Sequence, residues 1–185
     1  ARASSASCCD IVRFFSKSGE LVLDPFAGVG GILLGAALEN RRGLGFELSA
    51  NWVEVFEELR RRFHIQDGDF VEGPGRTIDA ELRQGDCLRL VRELDEDSVH
   101  AVITDPPYGV GHRPSGFAEE TNFNMVGEDK DDFGGLPSTE AYLEAMATLG
   151  RELHRVLLPG RYAVFLVGDR YQDGEYQPIG HMVAC

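Results

Sequence analysis

Asp105-Pro106-Pro107-Tyr108 combines a carboxylate, two prolines and an aromatic ring directly behind a short apolar run, Val99-His100-Ala101-Val102-Ile103-Thr104, that reads as a buried strand. The end of a strand in an open α/β sheet is where ligands bind. Two prolines remove two backbone N–H donors and fix φ, so the turn offers carbonyl acceptors, an acid and a flat face. That set suits a planar group bearing an amine, such as a nucleobase. Read alone, the tetrapeptide is as good a turn as it is a site, because Asp-Pro opens turns readily. A second motif upstream shifts the balance.

Asp24-Pro25-Phe26-Ala27-Gly28-Val29-Gly30-Gly31 lies between a strand and a helix. Glycines in such a turn let a ligand approach the backbone, and the helix N-terminus beyond favours a negative group. The glycines fall at 28, 30 and 31, so the dinucleotide fingerprint G-x-G-x-x-G is broken at its third position, which disfavours a nicotinamide-dependent dehydrogenase. Glu47 closes the next strand, where an acid accepts hydrogen bonds from ribose hydroxyls in dinucleotide folds. Asp86 closes the third strand, either as an acceptor for an adenine amine or as a helix N-cap. Three acids at three strand ends, with the glycine turn, describe one adenosine-shaped site.

These positions need a frame. Apolar runs predict strands at 21–24, 43–47, 82–86, 99–104 and 162–167. Amphipathic spacing predicts helices at 9–15, 32–39, 49–63 and 88–94, and one that begins at Ser138 or Thr139 and is stopped by Pro159-Gly160. Ser49 is the expected N-cap of the third of these. Residues 64–77 and 109–137 read as loops, 169–178 as a polar tail, and 179–185 as the start of a further helix. In the second loop Phe117, Asn122, Phe123 and Asn124 are candidates for substrate contact, in a segment that reads equally well as disordered. Strand and helix alternate, so the fold class is α/β, a mostly parallel sheet with helices on both faces. The chain ends soon after the fifth strand, so the sheet is expected to be incomplete on its C-terminal side.

The 185 residues fit a single domain, 1–185, with 43% hydrophobic and 26% charged residues. No apolar stretch reaches the length of a membrane span, and the small polar N-terminus lacks a signal-peptide core. With no initiator Met, the chain is expected to be a processed or cut one. Cys8, Cys9, Cys87 and Cys185 show no metal or disulfide spacing, so they are expected as reduced thiols in a cytoplasmic protein without a metal site. The net charge of −13 opposes a polynucleotide partner, unless the basic recognition surface lies outside these residues.

Asp-Pro-Phe-Ala-Gly-Val-Gly followed by Asp-Pro-Pro-Tyr resembles the S-adenosylmethionine-dependent amino-methyltransferases of DNA, the adenine-N6 and cytosine-N4 group, over residues 21–182. The resemblance implies a Rossmann-like class I methyltransferase fold and S-adenosylmethionine as cofactor. Asp24, Pro25, Phe26, Ala27, Gly28 and Gly30 would line its methionine part, Glu47 with Leu48 its ribose, and Asp86 with Cys87 its adenine. Asp105, Pro106, Pro107 and Tyr108 would be the catalytic motif, with Tyr108 stacking on a flipped-out base. Asp rather than Ser at 105 leans toward adenine N6. The late stretches 155–160 and 167–171 also look like the family's core. The chain has no room for a separate target-recognition domain, so DNA recognition would need a missing C-terminal region or a separate subunit. Asp-Pro-Pro-Tyr-Gly runs also occur in RNA guanine-N2 methyltransferases, and Gly109 follows here. The expected activity is therefore DNA adenine-N6 methylation. The alternatives are an RNA base-amine methyltransferase and a catalytically silent cofactor-binding subunit that docks on a basic partner.

Overall fold

Alternation along short apolar strands sets the layering. The computed structural model describes residues 2–107, 133, 136–172 and 175–184. Five strands form one sheet: β1 (Leu21–Asp24), β2 (Arg42–Glu47), β5 (Ala80–Gln84), β6 (Val99–Thr104) and β7 (Leu157–Phe165), in the order β5-β2-β1-β6-β7. Every pairing in it is parallel. The order turns back between β1 and β6, so those two strands flank the switch point of the sheet.

One face of the sheet carries Leu23, Leu44, Phe46 and Val102, which pack against α4 (Cys87–Leu90), α5 (Thr139–Val156) and α6 (Ile179–Ala184). The face of α5 is the one its spacing predicts: Tyr142, Met146, Leu149, Leu153 and Val156 are all buried. Burying each such side chain is worth about 1.5–3 kcal/mol relative to leaving it in water. Ser138 caps this helix by accepting from Ala141 N at 3.2 Å. The opposite face of the sheet packs against α1 (Arg2–Phe15), α2 (Gly31–Leu38) and α3 (Ala50–Arg62). There β2 presents Gly43 and Gly45, and a Cβ on Gly45 would meet Ala27 and Leu33 at 2.7 Å. Two glycines on one face of a strand therefore let α2 settle close to the sheet.

Several expected elements shift. The first helix begins at Arg2, well before residue 9. The loop at 64–77 contains a hairpin, β3 (His64–Gln66) with β4 (Asp69–Val71), turned by Asp67 and Gly68 at φ 52° and 80°. Positive φ at both positions is the primed turn that Asp-Gly favours. The third sheet strand lies at 80–84 rather than 82–86, because Gly85 at φ 148° leaves the extended conformation. The expected helix at 88–94 is a single turn, α4, followed by a tighter turn at Val91–Glu93. The helix before Pro159-Gly160 stops three residues earlier, and β7 runs through that pair. The register slips there, with Val99 opposite Leu157 and Ala101 opposite Tyr162, and Gly160 adopts φ 76°. Proline fits because, among the described residues, β7 is the outermost strand of the sheet and its pairing with β6 is irregular at that point. The polar tail contains a second hairpin, β8 (Arg170–Gln172) with β9 (Glu175–Gln177), before α6.

Candidate functional site

The carboxyl ends of four neighbouring strands carry acids in the spatial order Asp86, Glu47, Asp24, Asp105. Asp24 is the last residue of β1 and Glu47 the last of β2. Asp105 follows Thr104, the last residue of β6. Asp86 lies two residues beyond β5 and caps α4, accepting from Arg89 N at 2.7 Å. Asp86 thus serves as the N-cap of α4, and it stands beyond the strand rather than at its end.

The glycine turn is braced from below. Ala27 N donates to Phe46 O at 2.9 Å, and Gly30 N donates to Ala27 O at 2.7 Å. Gly28 and Gly30 sit at φ 53° and 81°, a region that L side chains rarely adopt. A Cβ on Gly30 would also collide with the Phe56 ring, whereas one on Gly28 would meet nothing within 4 Å. The Gly28 side of the turn is therefore open. Glu47 fastens two segments at once: its Oε2 accepts from Gly28 N at 2.9 Å and its Oε1 from Ser49 N at 2.7 Å. Ser49 stands at the N-cap position of α3 but makes no side-chain cap bond; the Glu47 carboxylate takes its backbone N–H instead. Pro25 and Ala27 are buried, while Phe26 and Leu48 are half-buried.

Asp24 is 3% exposed. Thr104 Oγ1 donates to its Oδ1 at 2.6 Å, and Phe26 N donates to the same oxygen at 3.1 Å. Burial pushes the Asp24 carboxyl up to about 7; the two donors hold it down in part, while the charges of Asp105 and Glu47 push it up. The half-buried Cys8 thiol in the middle of α1 is raised mainly by burial and further by Asp24 and Asp105. Cys87 is buried in the core, and burial and Asp86 lift its thiol to about 12. Its side chain packs against apolar neighbours.

At the other turn Asp105 is exposed, Pro106 buried and Pro107 half-buried. Tyr108, Gly109, Phe117, Asn122, Phe123 and Asn124 lie outside the described residues, as does Cys185. The structure thus brings Asp24, Gly28, Gly30, Glu47 and Asp105 to one edge of the sheet, with Asp86 at its flank. Two residues of this region escape sequence reasoning. Thr104 donates its hydroxyl to Asp24 Oδ1, and its signal is a hydroxyl at the end of a mostly apolar run. Phe133 is 4% exposed and meets the Phe26 ring edge-on at 5.0 Å between centroids; it sits in a stretch without periodicity. Among the described residues no three His, Cys, Asp or Glu side chains converge as a metal site, and no helix is long and apolar enough to cross a membrane.

A family model of N6/N4 methyltransferases, described as DNA methylase, matches residues 3–58. The chain is 33% identical over 104 residues to a tRNA (guanine(10)-N2)-dimethyltransferase of Methanothermobacter thermautotrophicus, a match covering 56% of this chain and 26% of that protein. It is 30% identical over 105 residues to the tRNA (guanine(10)-N(2))-methyltransferase of Homo sapiens, covering 51% and 22%. These matches span only about a quarter of the length of such relatives. A S-adenosylmethionine-dependent methyltransferase structure from Methanosarcina mazei superposes with a TM-score of 0.54 at 15% identity, over 84% of this chain and 55% of that one. Geranyl diphosphate C-methyltransferase from Streptomyces coelicolor does so with a TM-score of 0.51 at 15% identity, over 89% and 47%. The strand order and these superpositions agree: the chain has the Rossmann-like class I methyltransferase fold.

Proposed function

We propose that the chain is the cofactor-binding and catalytic part of an S-adenosylmethionine-dependent methyltransferase that methylates an exocyclic base amine, and that its substrate is RNA, with guanine N2 as the acceptor. The observation that carries the reading is the pairing of a buried carboxylate, Asp24, with an exposed one, Asp105, on adjacent strands across the switch point. The tRNA guanine-N2 methyltransferases among the similar proteins favour RNA over the DNA adenine that the motifs put first. The DNA reading keeps one support, the DNA methylase match over residues 3–58. Neither DNA methylation nor a restriction role has further support.

The residues suit the cofactor. A carboxylate buried enough to sit near pH 7 gains by meeting a cation, and the amino group of a methionine moiety is one. The open side of Gly28 leaves room beside it, and α2 directs its N-terminal N–H groups toward the same edge. Glu47 is assigned to the ribose hydroxyls. When bound, S-adenosylmethionine supplies an electrophilic methyl group. The chain supplies position and charge. A base amine is a poor nucleophile because its lone pair is delocalised into the ring. The Asp105 carboxylate and the Pro106 carbonyl each accept one N–H, which draws the nitrogen toward tetrahedral geometry and frees that lone pair. Asp105 then takes up, or passes to water, the proton that the amine sheds. Tyr108 is assigned to stacking on the base, worth about 1–3 kcal/mol, which offsets much of the cost of unstacking it.

The test joins two measurements. Calorimetric titration with S-adenosylmethionine should show binding by wild type and by Asp105→Ala, with loss in a Gly28→Val, Glu47→Ala double variant. Methyl transfer from labelled cofactor should then reach tRNA or a guanine-containing RNA hairpin, and Asp105→Ala should abolish it. Preferential transfer to adenine in duplex DNA would move the substrate to the second reading. Equal loss of binding and transfer in Asp105→Ala would remove that residue from the catalytic role.

A further inference from the structure

A fully buried hydroxyl at the end of a mostly apolar strand needs a reason, because valine has nearly the same shape and buries no polar atom. Thr104 is fully buried. Its Oγ1 donates to Asp24 Oδ1, and its own carbonyl accepts from Leu166 N at 2.9 Å. The residue is therefore held on both sides, and Asp105 follows it directly. The paired register of β1 and β6 ends at Leu23 with Val102. The Thr104–Asp24 bond thus extends the join between the two strands beyond their last paired residues, at the mouth of the site. Both donors to Asp24 use Oδ1, and among the described residues none bonds Oδ2. Oδ1 is thus fixed by two donors that leave Oδ2 unengaged.

We infer that Thr104 is a positioning residue: its hydroxyl aims Oδ2 of Asp24 at the cationic end of the cofactor and ties that carboxylate to the turn bearing Asp105. Capture of the methyl donor and placement of the amine are thereby coupled through one side chain. The inference rests on the proposed methyltransferase reading and assigns a task to a residue outside both motifs.

The experiment compares wild type, Thr104→Val and Thr104→Ser, with calorimetric titration of S-adenosylmethionine from pH 6 to 9, steady-state kcat and KM, and thermal melting. Thr104→Val should bind the cofactor about ten-fold more weakly, the expected loss for a hydrogen bond to a charged acceptor. The midpoint of its binding against pH should move upward, because the ionised carboxylate has lost a donor. Thr104→Ser keeps the hydroxyl and should restore affinity and midpoint even if it melts lower. In an Asp24→Asn background Thr104→Val should shift no midpoint, because the titrating partner is gone. A Thr104→Val protein with wild-type affinity and midpoint would overturn the inference, as would a Thr104→Ser protein as impaired as Thr104→Val. Failure of wild type to bind the cofactor would overturn the functional reading first and this inference with it.

Discussion

Asp24 holds a carboxylate where the ligand-free protein gains least from its charge. Its pKa is raised to about 7 by burial, against an ordinary value of 3.8. The sign of the consequence is fixed. Below pH about 4 the acid is protonated whether the chain is folded or not, and it costs nothing to bury. Between about 4 and 7 the unfolded chain gives up the proton while the folded chain keeps it, so stability falls as pH rises; above about 7 the loss is complete. One pKa unit corresponds to ~1.4 kcal/mol, so the full cost is on the order of 4 kcal/mol. Asparagine keeps an oxygen for Thr104 and Phe26 but cannot ionise. We expect Asp24→Asn to melt several degrees above wild type at pH 8 and close to it at pH 4, checked by calorimetric melting across that range. The groups facing Asp24 are Asp105 from the end of β6, Glu47 from β2 and the Cys8 thiol of α1. None of them supplies a positive charge, so the gain from the neutral amide should persist in the ligand-free protein. Cofactor affinity should move the opposite way: wild-type binding tightens as pH rises through about 7 and releases a proton, while Asp24→Asn binds weakly at every pH. Proton release is read by titrating in two buffers of different ionisation enthalpy, and its absence would mean that Asp24 does not meet the cation.

The glycine turn is an element whose shape depends on a neighbour. Gly28 and Gly30 permit its dihedrals, but Glu47 holds Gly28 N and Ser49 N together and so links the turn to α3. Glu47→Gln retains one acceptor oxygen and should lose part of this clamp, lowering cofactor affinity by about ten-fold with little change in melting temperature. Gly30→Ala meets both a positive φ and the Phe56 ring, so it should destabilise the fold itself, by at least ~1 kcal/mol. Melting curves beside cofactor titrations separate the two effects; a destabilised Glu47→Gln protein with intact binding would reverse the assignment. The helices and buried strands of this frame were legible because their periodicity is set by burial: the five inward positions of α5 are an example. The Asp67-Gly68 hairpin reads as loop in the sequence, because its strands are three residues each and half polar, although the turn pair itself is a signal. The path of β7 through Pro159-Gly160 was not legible. Local preference stops a helix there, but pairing with β6 and a tolerance for irregularity at the edge of the sheet extend the strand instead. At the site, the acids and glycines could be read from their types. The Thr104–Asp24 bond spans 80 positions in sequence and exists only once β1 and β6 lie side by side.

For the whole molecule, the switch point explains why one edge collects the chemistry: chain direction in a parallel sheet brings every strand's carboxyl end to the same side, and the reversal between β1 and β6 opens a crevice there. Charge sets a second condition. With a net charge of −13, the chain as a whole repels a polyanion, and the acids at the crevice add to that locally. Binding by neutralised phosphates lowers the logarithm of affinity with salt by roughly 0.9 per phosphate on duplex DNA and 0.7 on single strands. For this chain we expect weak tRNA binding whose slope against log salt, between 50 and 200 mM, corresponds to no more than about two phosphates. Cofactor affinity should change little over the same range. Filter binding of labelled tRNA beside cofactor titration measures both. A shallow slope means that base and cofactor contacts, rather than the phosphate backbone, supply what affinity the chain has, and that recognition of a folded RNA must draw on a basic surface contributed by another polypeptide segment. A steep slope would mean that the arginines of this chain gather on one face despite the net charge, and the crevice would then be approached from that face.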